Sequence, residues 1–373
     1  MTEAVLLVGD SYTDPDMYYK TGFLAPDPFV YAEMNGTSVI MISSMEKARA
    51  EKESRARQVQ SYDDYGYEEL LKELDDRNKA FAGVVSRMMQ DMGATSARVR
   101  GSFGVGLADS LRDRGLAIQV DTELFRADRR RKSPEEVAAI EEAQRANERA
   151  TTHAIDIIRE SDIRDGMLQW NGAPLTMETL RSEIEVALLR QGMDTPTGTI
   201  VAAGPGAADP HWEGTGPITA DQAIVLDIFP RSKKSRYWAD MTRTVAKGNP
   251  SDTLRAMYNT VLQAQEAAFQ HIRAGVNGAD VHAAVAKVFE DAGFAGEGQG
   301  PRFIHGTGHG VGLDIHEFPF LSVMDVELLE GDVVTVEPGL YDPDIGGVRI
   351  EDMVLVTADG YRNLTQMPKT FVV

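Results

Sequence analysis

Three of the chain's seven histidines lie within the segment HGTGHGVGLDIHE, residues 305–317. His305 and His309 are four residues apart, so on a helix both imidazoles would share one face and could bind zinc. Glycines alternate through HGTGHGVG, however, and each costs about 1 kcal/mol relative to alanine in a helix. The segment is therefore predicted to be a glycine-rich strand or loop in which the three histidines have separate roles.

A predicted β-hairpin brings two aspartates together. Residues 222–246 contain two β-rich runs on either side of the basic segment RSKKS, a pattern typical of a hairpin. A tip at Lys233-Lys234 places Asp227 opposite Asp240, with both side chains on one face of the sheet. Pro230 is expected to make the pairing irregular, because proline donates no hydrogen bond to the ladder.

A second predicted hairpin repeats this arrangement with two glutamates. The segment VVTVEPGLYDPDIGGVRIEDMVLV again has two β-rich runs around a turn. With Asp344 at its centre, Glu337 lies opposite Glu351. Arg349, two residues before Glu351, shares the same face of its strand.

The four acids adjoin strongly apolar strand segments that we expect to be buried. Buried carboxylates must be protonated, paired with a cation or bound to metal, and only one arginine lies near them in the pattern. Four carboxylates together with histidine nitrogen suit two divalent cations, whose charges would balance those of the acids. The alternative is two solvated hairpins whose acid pairs arise by chance.

The composition limits the class of protein. The chain has 373 residues and no cysteine, so any metal must be held by oxygen and imidazole nitrogen. A formal net charge of −20 argues against nucleic acid or an anionic membrane as the main partner and is compatible with cation sites. The first apolar run is too short for a signal peptide, and no segment approaches the length of a membrane span. These features predict a cytoplasmic protein.

Residues 1–132 are predicted to form an α/β domain, because short apolar runs alternate with amphipathic stretches. Asn35-Gly36 is a hairpin turn signal within it, and residues 66–93 read as one helical stretch. The basic cluster at 129–132 is interpreted as an exposed linker to the next domain.

Residues 133–373 are predicted to form an α+β domain that starts with a long helix, because Ser133 and Glu136 form a capping box. Segment 161–175 is expected to be a surface loop. Helical and β-rich patterns without a regular βαβ rhythm fill the rest of the domain. The helical patterns cover 134–160, 176–192, 251–274 and 279–292, and the β-rich patterns cover 197–204, 222–246, 302–320 and 332–357.

Taken in order, these motifs resemble the metallopeptidases of the pita-bread fold, family M24. The segments TDPDMYYKTGF, HGTGHGVGLDIHE, VEPGLY and GGVRIED point to the branch of aminopeptidase P and prolidase, with a creatinase-like N-terminal domain. The resemblance covers nearly the whole chain and is most specific over residues 197–357. It implies a dinuclear metal-dependent peptidase that cleaves Xaa-Pro bonds.

The resemblance implies that two divalent metal ions are held by five residues: Asp227, Asp240, His309, Glu337 and Glu351. Asp240 and Glu351 would bridge the ions. Asp227 would complete one site, and His309 with Glu337 would complete the other. Manganese or cobalt is the expected metal, with zinc or iron as alternatives.

The resemblance also implies roles in catalysis. A hydroxide between the metals would attack the scissile carbonyl, with Glu337 handling its proton. His316 would donate a hydrogen bond to the tetrahedral intermediate. His211, in DPHWEG, matches a substrate-pocket histidine and counts among the catalytic residues. His305 matches a pocket-lining histidine, and Arg349 matches an arginine that supports a ligand or binds the substrate's carboxylate.

One departure from the family pattern concerns the pocket. The family commonly has Asp-x-Gly after the first of these strands, whereas Phe229 follows Asp227 and Ile228 here, with a longer hairpin tip. Phe229 is therefore expected to alter the shape of the pocket. Thr242, on the strand face of Asp240, is expected to hydrogen-bond a ligand carboxylate.

The substrate would be a peptide with proline after the scissile bond, either a dipeptide, as for prolidase, or a longer chain, as for aminopeptidase P. Two alternatives stay open on the same fold. One is a metal-dependent hydrolase or lyase of a small non-peptide metabolite, and the other is a non-catalytic binding homologue. Dimers are common in the family, so a homodimer is expected.

Overall fold

The structure is a computed structural model that describes residues 2–294 and 300–373. The chain divides into two compact units, Met1–Ala127 and Asp128–Val373. The division lies before the basic cluster rather than at residue 132, so the segment interpreted as a linker belongs to the second unit.

The first unit has the α/β organisation that the sequence predicted. Its strands are β1 (Glu3–Gly9), β2 (Phe29–Met34), β3 (Thr37–Ile42), β4 (Gln58–Ser61), β5 (Ser96–Val99) and β6 (Ala117–Val120). Its helices are α1 (Pro15–Thr21), α2 (Ser44–Glu53), α3 (Tyr67–Leu74), α4 (Arg77–Asp91) and α5 (Val105–Arg112). The strands form one mixed sheet in the order β4-β3-β2-β1-β5-β6.

Local turn chemistry explains one correct and one incorrect expectation in this unit. Asn35 and Gly36 form the predicted two-residue turn between β2 and β3, with φ of 52° and 74°. The single helical stretch over 66–93 is instead two helices. Asp75 takes the left-handed conformation that ends α3, and the Asp76 carboxylate accepts amide hydrogen bonds that begin α4.

Helices begin and end near their predicted positions in the second unit. A short helix, α6 (Arg126–Arg130), crosses the division between the units, and it is followed by α7 (Pro134–Glu160), α8 (Met177–Arg190), α9 (Asp252–His271) and α10 (Gly278–Asp291). The capping box is confirmed, because Ser133 Oγ accepts from the Glu136 amide while the Glu136 carboxylate accepts from the Ser133 amide. None of the helices among the described residues has the length and apolarity that crossing a bilayer requires.

The surface loop expected at 161–175 is wrong, because this segment forms a three-stranded antiparallel sheet. Its strands are β7 (Asp162–Arg164), β8 (Met167–Trp170) and β9 (Ala173–Pro174). Asp165-Gly166 and Asn171-Gly172 supply the turns, with positive φ at all four residues. These dipeptides are hairpin signals that the composition of the segment obscured.

The remaining strands include those that contribute to the lining of the cavity described below. In chain order they are β10 (Met193–Asp194), β11 (Ile200–Ala203), β12 (Ile224–Ile228), β13 (Arg231–Ser232), β14 (Met241–Val245), β15 (Gly308–Gly310), β16 (Glu317–Leu321), β17 (Val333–Val336), β18 (Gly339–Asp342), β19 (Gly346–Arg349), β20 (Asp352–Val356) and β21 (Tyr361–Asn363). Strands β11, β12, β15, β16 and β19 contribute to the lining. They form a three-stranded sheet β11-β12-β14, a five-stranded sheet β16-β15-β17-β20-β21, and the two-stranded pairs β18-β19 and β10-β13.

Helices α9 and α10 pack their apolar faces against β17, β18, β19 and β20 in one buried core. A buried polar contact fixes α9 to the strands. The Gln265 side-chain amide donates to the carbonyl oxygens of Val336, at 2.9 Å, and Ile350, at 3.2 Å. Val336 directly precedes Glu337, and Ile350 directly precedes Glu351. Helix α9 therefore fixes the backbone next to two predicted ligands.

Candidate metal and substrate site

The first acid hairpin has a register different from the predicted one. Asp227 lies opposite Thr242 in the β12-β14 ladder, so the pairing of Asp227 with Asp240 is wrong by two residues. Side chains alternate between the two faces of a strand with a period of two. A shift of two residues therefore changes the partner of Asp227 but leaves Asp240 on the predicted face, which it shares with Thr242. Pro230 and the positive φ of Arg236 (65°) break the regular ladder in the connection.

The second acid hairpin has the predicted register. Ladder β17-β20 pairs Val336 with Asp352, and ladder β18-β19 pairs Gly339 with Arg349. Glu337 lies in the short gap between β17 and β18, and Glu351 lies in the gap between β19 and β20. We call these two gaps the strand breaks. The backbone amides of the two glutamates donate elsewhere, to the carbonyl oxygens of Thr307 (2.8 Å) and Thr242 (3.0 Å) respectively.

The glycine-rich segment is not helical, in agreement with the prediction of a strand or loop: Gly308–Gly310 forms the short strand β15, flanked by loop, and brings His309 to the acids. A Cβ added to Gly308 would come within 2.0 Å of a Thr335 oxygen, so close strand approach requires glycine there. His309 Nδ1 lies 3.1 Å from the Gly310 carbonyl oxygen, which leaves Nε2 as the ligand atom. Nε2 is 3.7 Å from Asp240 Oδ2 and 3.5 Å from Glu337 Oε1.

One cavity of about 780 Å³ is lined by all nine residues that were predicted as metal ligands, catalytic residues or substrate-binding residues. These nine are His211, Asp227, Asp240, His305, His309, His316, Glu337, Arg349 and Glu351. Most are separated widely along the chain, so the fold has gathered them. The residues therefore form one candidate site.

The tightest group in the cavity consists of Asp240, His309 and Glu351, whose ligand atoms all lie within 4.8 Å of one another. All three are buried. Thr242 donates to Glu351 Oε2 at 2.8 Å, so the expected contact between this threonine and a ligand carboxylate is present. Such a hydrogen bond orients the carboxylate.

Burial and mutual repulsion disfavour ionisation of the acids when no cation is bound. Burial raises the pKa of Asp240 well above its usual value, and the charges of Glu351, Asp227 and Glu337 raise it further. Burial likewise raises the pKa of Glu351. It raises that of Glu337 to about 7, although Arg349 opposes the shift.

The donor set fits divalent cations. Asp227 Oδ1 is buried and has no hydrogen-bond partner among the described residues, so one carboxylate oxygen is available for a ligand. Burial lowers the pKa of His309 to about 3, which keeps its imidazole neutral and able to coordinate. Carboxylate oxygens with imidazole nitrogen form a ligand set for first-row divalent metals.

A chain of hydrogen bonds supports the acid group. Arg349 Nη2 lies 2.6 Å from Asp227 Oδ2, and Arg349 Nη1 donates to the Tyr341 hydroxyl at 2.8 Å. His305 Nε2 lies 2.8 Å from the same hydroxyl. Tyr341 was not among the predicted site residues, although it shares the strand parity of Glu337, and that periodicity could have identified it.

The two remaining histidines are exposed on the cavity wall. The ring of His316 meets that of His309 edge-on, with centroids 4.2 Å apart. Burial of the ring lowers the pKa of His316, so its neutral form can donate one N–H. Phe229 lines the cavity as well and packs against a buried apolar cluster that includes Ile200. It supplies an apolar wall where the family pattern has glycine.

The basic cluster is not an exposed linker, so that interpretation is wrong. The Lys132 side chain is 1% exposed, and its Nζ lies 2.6 Å from Glu317 Oε1. Arg129 Nη2 is 2.5 Å from Glu317 Oε2, and Arg130 pairs with the buried Asp332 at 2.6 Å. Because Glu317 follows His316 directly, these cations fix the backbone that carries a predicted catalytic histidine.

Comparisons with known proteins identify the family and agree with the fold. The profile of metallopeptidase family M24 matches residues 138–358. Over 244 residues the chain is 35% identical to the uncharacterized peptidase YqhT of Bacillus subtilis, a match that covers 65% of this chain and 64% of that relative. It is also 28% identical over 366 residues to the Xaa-Pro dipeptidase of Pyrococcus horikoshii, covering 96% and 92% of the two chains.

A solved structure matches both units. The X-Pro aminopeptidase from Thermotoga maritima MSB8 superposes with a TM-score of 0.83 and 25% identity, covering 100% of this chain and 98% of that one. This likeness confirms the predicted architecture, an α/β N-terminal domain followed by a pita-bread α+β domain. Because the family profile covers more than half of the sequence, the chain belongs to metallopeptidase family M24.

Proposed function

We propose that this chain is a metallopeptidase that hydrolyses the peptide bond preceding proline. The observation that carries the proposal is the cavity in which the four acids predicted as metal ligands meet four histidines and one arginine. A profile match to a metallopeptidase family and relatives named Xaa-Pro dipeptidase support it. Relatives named Xaa-Pro dipeptidase favour a peptide substrate over a small metabolite or a non-catalytic role.

The metal ions would be held by Asp227, Asp240, His309, Glu337 and Glu351. When bound, two divalent cations supply Lewis-acid polarisation of a carbonyl and activation of water. Manganese or cobalt is the metal that we expect. The family match supports divalent metal in general, and the choice of element is our proposal.

Protein side chains would handle the proton and orient the substrate. Glu337, whose Oε1 lies 3.5 Å from His309 Nε2 at the edge of the acid group, is the proposed proton carrier. His316, on the cavity wall, would donate its N–H to the substrate carbonyl oxygen as charge develops there. His211 and His305 would contact the prolyl side of the substrate from the cavity wall.

Turnover by metal-loaded protein tests the proposal. The protein is stripped with a chelator, reloaded with Mn²⁺ or Co²⁺, and its metal content is measured. Release of proline from Xaa-Pro and of Xaa from Xaa-Pro-Yaa-Zaa is then followed, with D240N as the inactive control. Absence of both reactions from a fully loaded sample would contradict the proposed function. A cytoplasmic location and a homodimer stay predictions.

A further inference from the structure

The charges that line the cavity are unequal in number. Five carboxylates face it, but among the described residues a single lysine or arginine side chain does: Arg349. Four of the carboxylates belong to the proposed metal ligands, and two divalent cations would balance them. The fifth is Glu213, and Arg349 forms its ion pair with Asp227 rather than with Glu213.

Arg349 is already engaged by protein groups. It is 4% exposed, and its guanidinium bonds with Asp227 Oδ2, the Tyr341 hydroxyl and Thr242 Oγ1 at 2.6, 2.8 and 3.1 Å. Each of its three nitrogens therefore has a partner. Withdrawing it to bind a substrate carboxylate would leave a buried acid unpaired, which is costly.

His305 is engaged as well. Its Nδ1 lies 2.7 Å from the Gly306 carbonyl oxygen and its Nε2 lies 2.8 Å from the Tyr341 hydroxyl. Both ring nitrogens are thus occupied within the protein. The exposed rings of His211 and His316 remain for the carbonyl groups of a bound peptide.

Glu213 has the opposite character. It is exposed, and no ion pair involves its carboxylate among the described residues. Its backbone is held in place, because Arg181 donates to its carbonyl oxygen and the Val201 amide does so at 3.3 Å. Glu213 therefore contributes a negative charge on the cavity wall, two residues from His211, that no ion pair within the described residues engages.

The cavity also has room beyond two residues. Its volume of about 780 Å³ lies in the upper part of the range of roughly 300–1,000 Å³ for ligand pockets. Ile304, 57% exposed, lies on its lining and offers an apolar surface toward solvent. A peptide that continues past proline would cover this surface and carry its terminal carboxylate away from the acids.

We propose that the cavity selects peptides in which proline is followed by a further residue, and that Glu213 is the residue that discriminates against Xaa-Pro with a free carboxylate. The proposal rests on the proposed function and names its substrate class. The physical cause is repulsion between two carboxylates in a cavity where the lining arginine, Arg349, is already paired with Asp227.

Matched substrates separate charge from size. The value of kcat/KM is measured for Xaa-Pro, for its amide Xaa-Pro-NH₂ and for Xaa-Pro-Yaa, using wild type, E213Q and the surface control E330Q. Wild type is expected to prefer the amide over the free dipeptide by about tenfold, the effect of roughly one to two kcal/mol of repulsion. E213Q is expected to narrow that preference by about three- to tenfold through a lower KM for the dipeptide.

Controls sharpen the result. E330Q is expected to match wild type, and the preference of wild type should shrink as salt screens the repulsion. Equal or better cleavage of the free dipeptide by wild type would overturn the proposal. So would an E213Q variant that changes all substrates by the same factor, because Glu213 would then bind the amino terminus or act structurally. Failure to cleave any of the three would instead contradict the proposed function.

Discussion

Arg349 Nη2 lies 2.6 Å from Asp227 Oδ2, while Oδ1 of the same aspartate is buried without a hydrogen-bond partner. The ion pair thus orients one oxygen toward the guanidinium and leaves the other for a ligand. Burial opposes the charge of Arg349, but Tyr341 and Asp227 outweigh it and raise the pKa of the guanidinium, which stays charged.

Replacing Arg349 should therefore damage both stability and metal binding. R349Q leaves Asp227 without its cation, and removing one partner of a buried pair costs about 3–5 kcal/mol. We expect a lower unfolding midpoint in urea and weaker Mn²⁺ binding by calorimetry. R362Q, which changes an arginine on the surface, serves as the control. A variant as stable as wild type that binds metal normally would show that the pair orients nothing.

His309 and His316 should differ in what their loss does. H309A removes a ligand nitrogen and should lower metal occupancy, measured by elemental analysis after dialysis. H316A should keep its metal and lose about a hundredfold in kcat, as when one donor to a developing oxyanion is removed. Equal loss of metal from both variants would contradict this division of roles.

Removing the Asp240 carboxylate should raise the stability of the protein without metal and lower it, relative to wild type, when metal is bound. Asp240 is buried beside other acids, so D240N should stabilise the chelator-treated protein by relieving repulsion. Each 1 kcal/mol corresponds to a shift in Tm of about 2–4 °C for a domain of this size. In excess Mn²⁺ the order should reverse, because wild type gains stability from binding. The same ranking in both conditions would argue against a metal ligand at Asp240.

Glu317 should make the free energy of unfolding depend on pH in the acid range. Burial alone would raise its pKa, but Lys132 and Arg129 outweigh burial and lower it below the ordinary value of 4.5. A lowered pKa in the folded state means that the stabilisation is complete above pH 4.5 and is lost as the pH falls through the folded value. Urea unfolding between pH 3 and 6 should show this loss in wild type.

The E317Q variant tests whether the loss of stability at acid pH comes from Glu317. Its free energy of unfolding should be lower at neutral pH and should fall less steeply below pH 4.5. E330Q, an exposed change, should follow the wild-type curve. Identical slopes for wild type and E317Q would assign the acid dependence to other carboxylates.

Gln265 should stabilise the two strand breaks that carry Glu337 and Glu351. Q265L leaves the carbonyl oxygens of Val336 and Ile350 buried without this donor, at a cost of about 1–3 kcal/mol. We expect a reduced unfolding free energy and weaker metal binding, while Q270L on the exposed face of α9 should change little. Lost stability with unchanged metal affinity would limit the role of Gln265 to packing.

Much of the site could be predicted from local patterns. Alternating apolar residues and a compact turn were enough to predict the register of the second acid hairpin. Its two ladders, β17-β20 and β18-β19, keep one register on both sides of Glu337 and Glu351. The alternating glycines excluded a helix at His309, since each would weaken it. The register of the first hairpin was missed by two residues. Pro230 and the left-handed Arg236 add irregular backbone to its tip, which alternation alone does not reveal.

Other features depend on partners that are distant in sequence. The pattern at 129–132 is typical of an exposed linker. Only the structure shows that its basic side chains form ion pairs with Glu317 and Asp332. Tyr341 becomes part of the site only through its hydrogen bonds with His305 and Arg349.

The sequence by itself determined the residue types, the strand faces and the set of candidate ligands, because these follow from periods of a few residues. Tertiary structure alone decided which atoms face one another and which charges stay uncompensated, since those depend on packing between segments that no local period relates.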